Sequence, residues 1–173
     1  MRTPMQNADE LCQFLTRHQI EFQRCDHPPV YTCAEAEALV PAMPGAKSKN
    51  LFLCDDKGRQ HFLVVVPADK QIDLKALSHA LEIKKLRFAS PKRLERLLQL
   101  TPGAVTLLAV VNDPDHAVTV VVDAEIWAGN ALLCHPLVNT STLSLSLDEI
   151  RRLLKVTGHS PTVVAVPDKK DPA

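Results

Sequence analysis

Two lysines and an asparagine lead directly into an apolar run in residues 45–53, Gly-Ala-Lys-Ser-Lys-Asn-Leu-Phe-Leu. A turn at Asp56-Lys57-Gly58-Arg59 and a second apolar run over residues 60–66 follow, so the sequence predicts a β-hairpin. Lys49 and Asn50 open its first strand, where a rigid sheet can hold polar side chains against a ligand. A lysine there can bind a phosphate or a developing negative charge. Alternatively, Lys49 only solvates the strand end, as exposed lysines commonly do.

Several other chemistries are disfavoured by the pattern of residues. Residues 45–48 lack the first glycine of a phosphate-binding P-loop, and a strand follows where that loop requires a helix. The sequence contains neither an HExxH nor a GxSxG motif. Cys134 and His135 are neighbours, and neighbours on a strand point to opposite faces. Cys134 is therefore predicted to be a buried structural thiol and not a nucleophile.

Composition indicates one cytoplasmic domain. The 173 residues are 46% hydrophobic and 23% charged, which suits a single core with a polar surface. We assign residues 1–160 to this domain and residues 161–173 to a loosely held C-terminal tail. No apolar run approaches the ~18 residues of a membrane span, and the N-terminus lacks a signal-peptide core. Five cysteines without a CxxC pair indicate reduced thiols, and no spacing indicates a metal or a cofactor.

Local signals predict alternating short helices and strands. Capping residues predict helices that start after Asn7, Thr32, Asp73, Ser90 and Ser146. The first ends near His18, the second at Pro41 and the last near Lys155, before Gly158. Strands are predicted at residues 20–22, 49–54, 60–66, 105–111, 117–122, 132–134 and 142–145, with 105–111 and 117–122 forming a second hairpin. Hairpins mixed with helices indicate an α+β fold with antiparallel pairs.

A basic segment offers a candidate surface for RNA, although the net charge of the chain is zero. Residues 84–96 carry Lys84, Lys85, Arg87, Lys92, Arg93 and Arg96 against the single acid Glu95. Such an excess of positive charge can follow phosphates, with an affinity that depends strongly on salt. The same residues also fit an ordinary solvated helix face.

Short motifs occur in a characteristic order across residues 5–155. They are His27-Pro28-Pro29-Val30-Tyr31-Thr32, Lys49-Asn50-Leu51-Phe52-Leu53, Leu86-Arg87-Phe88-Ala89-Ser90-Pro91, Thr101-Pro102-Gly103-Ala104-Val105-Thr106, Val111-Asn112-Asp113 and His135-Pro136-Leu137-Val138-Asn139-Thr140. In this order they resemble the YbaK/ProX family, relatives of the editing insertion domain of bacterial prolyl-tRNA synthetase. The similarity is greatest to the ProX (PrdX) branch, which removes alanine from mischarged tRNA(Pro). The resemblance implies a curved mixed, largely antiparallel sheet flanked by helices.

The resemblance also implies an enzyme that hydrolyses the ester of a mischarged tRNA without a covalent nucleophile or a cofactor. Positioning and electrostatics would carry the reaction, and a ribose hydroxyl of the tRNA would help to activate water. By this resemblance Lys49 engages the phosphate or sugar of the terminal adenosine, and Asn50 orients the aminoacyl group. Backbone N–H groups around Gly103 approach the carbonyl oxygen.

The remaining implied site residues surround the amino acid. His135 would line the pocket together with Ala104 and Thr106 of the glycine loop. His27 either joins them or is a structural histidine before Pro28. The pocket wall would come from an apolar side chain, for which the candidates are Val30, Leu53 and Phe62.

One position departs from the family pattern, because Leu107 stands where the glycine loop commonly has proline. Proline would fix φ and stiffen the loop, so its absence bears on loop rigidity and on amino-acid choice. The implied partner is the acceptor end of a mischarged tRNA, with prolyl-tRNA synthetase or an elongation factor as further candidates. Two alternatives stay open: a deacylase for Cys-tRNA(Pro) or another small amino acid, and a non-catalytic tRNA- or synthetase-binding module. Lys49 and Asn50 argue against the second.

Overall fold

The structure is a computed structural model that describes residues 3–29, 34–35, 38 and 42–169. The strands are β1 (Gln23–Asp26), β2 (Ser48–Asp55), β3 (His61–Pro67), β4 (Leu86–Phe88), β5 (Val118–Asp123), β6 (Ala131–Cys134), β7 (Ser141–Ser146) and β8 (Thr162–Val164). The α-helices are α1 (Ala8–Arg17), α2 (Leu74–Ala80), α3 (Pro91–Leu98), α4 (Ala124–Trp127) and α5 (Leu147–Thr157), and 3-10 helices span Pro102–Ala104 and Leu107–Asn112. The predicted helix between Thr32 and Pro41 lies largely outside the described residues, as does Val30.

Capping side chains fix the helix starts that the sequence predicted. The N-caps are Asn7, Asp73, Ser90 and Ser146, and each accepts a hydrogen bond from the backbone N–H three residues later. Each cap satisfies one of the N–H groups that a helix leaves without an internal partner. Gly158 ends α5 with φ of 82°, a left-handed conformation that glycine adopts readily.

The described strands form two sheets. One is mixed, in the order β4-β2-β3-β5-β8, and the other is antiparallel, in the order β1-β7-β6. The predicted hairpin is the β2–β3 pair, in which Lys49 lies opposite Val66 and Asn50 opposite Val65. The strand β5 runs parallel to β3 and to β8. The α+β class with a mixed, largely antiparallel arrangement flanked by helices is therefore confirmed.

The predicted second hairpin is wrong, because residues 105–111 do not form a strand. The Thr106 side chain accepts the backbone N–H of Leu108 at 3.2 Å and caps the 3-10 helix Leu107–Asn112. Five consecutive residues of this helix, 107–111, are buried, and such a run cannot be told from a buried strand by periodicity. Similarly, β1 begins later than the predicted strand at residues 20–22, because the Ile20 N–H still donates to Leu15 at the end of α1.

Each face of the five-stranded sheet has its own core. One face carries Phe52, Leu63 and Val65, and packs against the 3-10 helix, α1, α5 and the three-stranded sheet. The other face carries Leu53, Phe62, Val64 and Val66 and packs against residues of α2 and around it. Leu53 and Phe62 are thus core residues beneath α2, and the expectation that either walls a substrate pocket is not supported.

Residues 162–166, which the sequence placed in a loosely held tail, are held firmly against the sheet. The strand β8 adds to the edge of the sheet beside β5, and Val166 is buried. The Lys70 ammonium lies 2.7 Å from an Asp123 carboxylate oxygen and 2.9 Å from the Val166 carbonyl oxygen, which ties this segment to the sheet. Nowhere in the described ranges is a helix both long enough and apolar enough to cross a membrane.

Candidate active site

Lys49 and Asn50 leave opposite faces of β2. Asn50 pairs with Val65, which belongs to the core shared with the three-stranded sheet, whereas Lys49 pairs with Val66, which belongs to the core under α2. Directly opposed residues in an antiparallel pair share a face, so the two side chains point away from each other. Both are half-buried. A ligand that contacts both side chains must cross the edge of the strand.

Among the residues that the structure describes, none pairs with the edge of β2 beside Asn50, and we call this stretch the open edge. The strand β4 covers that edge only at Leu53–Asp55, and the Ala89 N–H extends the cover to the Phe52 carbonyl at 3.0 Å. Hydrogen-bonding direction alternates along an antiparallel strand. The N–H and C=O of Asn50, two residues before Phe52, therefore point to this edge and away from β3. Within the described residues, neither group has a backbone partner on that side.

The amide side chain of Asn50 is also incompletely satisfied. Its Oδ1 atom is buried and is the only such side-chain oxygen or nitrogen without a hydrogen-bond partner in the described part of the chain. A buried polar atom without a partner costs free energy and calls for a specific explanation. A donor from a bound substrate would supply the missing hydrogen bond.

Two histidines lie close together where β1 and β7 pair. The His135 Nδ1–H donates to the Ser141 carbonyl at 3.2 Å, which leaves Nε2 as an acceptor without a partner among the described residues. Burial lowers the pKa of His135 below its usual value, and the hydrogen bond to Ser141 opposes that shift only partly. His135 is therefore neutral near pH 7.

His27 differs from His135 because both of its ring nitrogens are occupied. Nδ1 lies 2.8 Å from the Pro28 carbonyl oxygen, and Nε2 lies 2.8 Å from the Thr142 hydroxyl oxygen. Its backbone N–H also donates to the Thr140 carbonyl. This geometry favours the structural alternative for His27. Ser141 and Thr142, which hold the two histidines, were not predicted as site residues. They belong to β7, and its pairing with β1 becomes apparent only in the structure.

Cys134 is buried at the end of β6, and burial alone raises the pKa of its thiol to about 12. A thiol with such a pKa is protonated near neutral pH and is a poor nucleophile. The other cysteines within the described ranges, Cys12, Cys25 and Cys54, are free thiols.

The glycine loop is short and tightly wound. Gly103 is exposed and lies in the 3-10 helix Pro102–Ala104, which the Ala104 N–H closes by donating to the Thr101 carbonyl at 3.0 Å. Its φ is not in the positive range, so the observed conformation does not itself require glycine. Ala104 and Thr106 are both buried, and the Thr106 hydroxyl oxygen accepts the Leu108 N–H.

The candidate RNA-binding residues divide into two groups. Lys84, Lys85 and Lys92 are exposed, whereas Arg87 on β4 lies opposite Cys54 and is half-buried like Arg93. Arg93, by contrast, donates through Nη1 to the Gly58 carbonyl at 2.8 Å and to His61 Nε2 at 3.1 Å, so it anchors the β2–β3 turn. Burial lowers the pKa of His61, and the nearby charges of Arg93, Arg96 and Arg87 lower it further.

Comparison with known proteins assigns the chain to a family. The model of the aminoacyl-tRNA editing domain matches residues 27–153. The chain is 39% identical over 142 residues to the prolyl-tRNA editing protein ProX of Acetoanaerobium sticklandii, covering 82% of this chain and 87% of that protein. It is 36% identical over 164 residues to the prolyl-tRNA synthetase associated domain-containing protein 1 of Danio rerio, covering 94% and 89%.

The fold agrees with this assignment. It superposes on the crystal structure of a proposed trans-editing enzyme for prolyl tRNA synthetase with a TM-score of 0.68 at 19% identity, over 95% of this chain and 99% of that one. At 19% identity this superposition establishes the fold alone. The family is established by the family model and by the sequence identity to the two relatives. The chain belongs to the aminoacyl-tRNA editing family of deacylases.

Proposed function

We propose that this protein deacylates mischarged tRNA(Pro) in the cytoplasm, with Ala-tRNA(Pro) as its substrate. The single observation that carries the proposal is the buried Oδ1 of Asn50, which has no hydrogen-bond partner among the described residues and lies beside the open edge of β2. The α-ammonium group of an aminoacyl ester is a donor that can complete this hydrogen bond. The names of the relatives, a prolyl-tRNA editing protein and a prolyl-tRNA synthetase associated protein, support tRNA(Pro) as the tRNA concerned.

The arrangement suggests how the substrate lies. The terminal adenosine crosses the open edge of β2, with Lys49 against its phosphate or sugar on one face and the aminoacyl group beside Asn50 on the other. Backbone N–H groups, including that of Asn50 and those around Gly103, are donors for the carbonyl oxygen as it gains negative charge. No step requires a covalent bond to the protein.

Water adds to the ester carbonyl carbon, the carbon–oxygen bond to the ribose breaks, and the ribose oxygen leaves with a proton. The neutral His135 offers an Nε2 lone pair, without a partner among the described residues, that can hold the attacking water. In this proposal the neighbouring ribose hydroxyl of the tRNA helps to activate that water. His27 holds the shape of the pocket through its two occupied ring nitrogens.

A small pocket would exclude the proline ring sterically and accept alanine. Discrimination against cysteine or serine is harder, because one methylene or one sulfur atom changes binding by only ~1–3 kcal/mol. The test is single-turnover hydrolysis of tRNA(Pro) charged with alanine, cysteine, serine or proline. We expect Ala-tRNA(Pro) to be cleaved fastest and Pro-tRNA(Pro) to be spared.

Two results would overturn this assignment. Cleavage of Pro-tRNA(Pro) at the rate of Ala-tRNA(Pro) would show that the pocket does not exclude proline, and much faster cleavage of Cys-tRNA(Pro) would identify cysteine as the substrate. Addition of prolyl-tRNA synthetase or of an elongation factor to the same assay tests whether either hands the tRNA to this protein. We expect either protein to raise the rate only at limiting concentrations of tRNA.

A further inference from the structure

An aromatic side chain lies exposed on the edge strand β4. Phe88 is 58% exposed, more than any other large hydrophobic residue in the described ranges, of which Val163 and Val156 follow at 41% and 40%. The strand β4 pairs only with β2 and forms one edge of the five-stranded sheet. More than half of this side chain is therefore accessible to a binding partner.

Phe88 lies on the same face of the sheet as Lys49. It is directly opposite Leu53 of β2, so the two side chains share a face of the sheet. Every second residue of a strand lies on the same face, and Leu51 and Lys49 therefore share the face of Leu53. Leu53 and Lys49 are four residues apart, which corresponds to about 13 Å along the strand. A few nucleotides of single-stranded RNA can span the distance from the ring to the ammonium group. The edge of β2 between them is the open edge at Asn50.

The charges around Phe88 favour a polyanion. Lys84 and Lys85 are exposed and immediately precede β4. Asp55 is the acidic residue of β2. One of its carboxylate oxygens accepts the N–H groups of Arg59 and Gln60 in the hairpin turn. Lysines beside an exposed aromatic ring are the combination with which proteins bind unpaired nucleotides, through phosphate attraction and base stacking.

We propose that Phe88 is a stacking platform for an unpaired nucleotide that precedes the terminal adenosine of the tRNA acceptor end. This inference rests on the proposed function. Stacking at Phe88 fixes the path of the RNA strand toward Lys49, and so positions the ester at Asn50. Phe88 is thus a positioning residue, and it does not touch the reacting atoms.

The test compares Phe88→Ala and Phe88→Trp with a matched control, Val163→Ala. Val163 is the exposed apolar residue on β8, the opposite edge strand of the same sheet. Each variant is assayed on Ala-tRNA(Pro) and on the alanyl ester of free adenosine, which has no preceding nucleotide. We expect Phe88→Ala to lower kcat/KM for the tRNA by on the order of 10-fold, the usual effect of losing one base stack.

The same substitution should leave hydrolysis of the adenosine ester unchanged. Phe88→Trp should retain activity on the tRNA because indole also stacks, and Val163→Ala should match the wild type on both substrates. An equal loss on both substrates would show that Phe88 only supports the fold, and an unchanged rate on the tRNA would show that no base stacks there. Either result overturns the inference.

A binding measurement separates this inference from the proposed function. The probes are RNAs with the acceptor-end sequence that carry no amino acid. Each RNA has 2-aminopurine at a different one of the unpaired positions before the terminal adenosine. Stacking on Phe88 should change the fluorescence at one position with the wild type and Val163→Ala, and not with Phe88→Ala. If the wild type hydrolyses neither ester but this pattern holds, the proposed function fails while the stacking site stands. If no position responds to the wild type, the stacking site is refuted.

Discussion

Replacing Asn50 by leucine should separate stability from activity. Leucine has a similar size, and it removes the buried Oδ1 that has no partner among the described residues. A buried unsatisfied polar group costs about 1–3 kcal/mol, whereas an apolar side chain at the same place adds contacts with the core around Phe52. We therefore expect Asn50→Leu to raise the free energy of unfolding by about 1 kcal/mol, which corresponds to about 2–4 °C in Tm for a chain of this size.

The same substitution should reduce activity strongly. If Oδ1 accepts a hydrogen bond from the aminoacyl group, its loss lets the ester move, and a displacement of about 1 Å can cost about 10²-fold in rate. The measurements are thermal unfolding and single-turnover deacylation of Ala-tRNA(Pro). The matched control is Asn130→Leu at an exposed asparagine, which should change stability by less than about 0.5 kcal/mol and leave the rate unaltered.

Two outcomes would refute this reasoning about Asn50. Wild-type activity in Asn50→Leu would mean that Oδ1 does not contact the substrate. A loss of activity accompanied by a lower Tm would mean that Asn50 supports the fold and that the rate falls because the site is distorted. Only a more stable and less active variant agrees with an acceptor held ready for the substrate.

Further outcomes follow from the same structure. Lys49→Ala should lower the rate by ~10²–10³ with the fold intact, whereas Lys47→Ala should have a much smaller effect; equal losses would indicate general attraction of RNA. Leu107 is the first residue of a 3-10 helix, a position that suits proline, but its side chain is buried. We expect Leu107→Pro to lower the free energy of unfolding by about 1–3 kcal/mol and to alter the ratio of alanyl to seryl cleavage. An unchanged ratio would show that this position does not set selectivity. Burial lowers the pKa values of His61 and His135 from 6.5, so the unfolded chain binds more protons than the folded one below that pH. Tm should therefore be highest above about pH 6.5 and fall as the pH drops below it, and a flat profile would contradict the burial argument. Replacing the ribose hydroxyl beside the ester by hydrogen should abolish cleavage, and full activity would instead assign the base role to His135.

Local signals were sufficient for much of the fold. The caps at Asn7, Asp73, Ser90 and Ser146 were predictable because a capping side chain bonds within three residues of itself. The β2–β3 hairpin was predictable for a similar reason, since its turn and both strands are adjacent in sequence.

Pairings between distant segments were not predictable in this way. The strand β8 has three residues, and its partner β5 lies about forty residues earlier, so no local pattern announces the pair. The buried run after Thr106 has the composition of a strand. Its 3-10 conformation goes with the Thr106 cap and with packing beside α3 and α5, which a local pattern does not show. His61 and Arg93 likewise meet only after β4 and α3 have folded back against the hairpin.

The relative orientation of Lys49 and Asn50 was predictable from their adjacent positions on one strand. Alternation along a strand separates the side chains of Cys134 and His135, and it separates those of Lys49 and Asn50 in the same way. Because these two side chains leave opposite faces, they cannot act side by side on one atom. In the proposed function one ligand contacts both, because a chain lying across the open edge of β2 reaches both faces of the strand. A thin, extended ligand such as the single-stranded end of a tRNA suits that geometry better than a compact small molecule, which would contact one face alone.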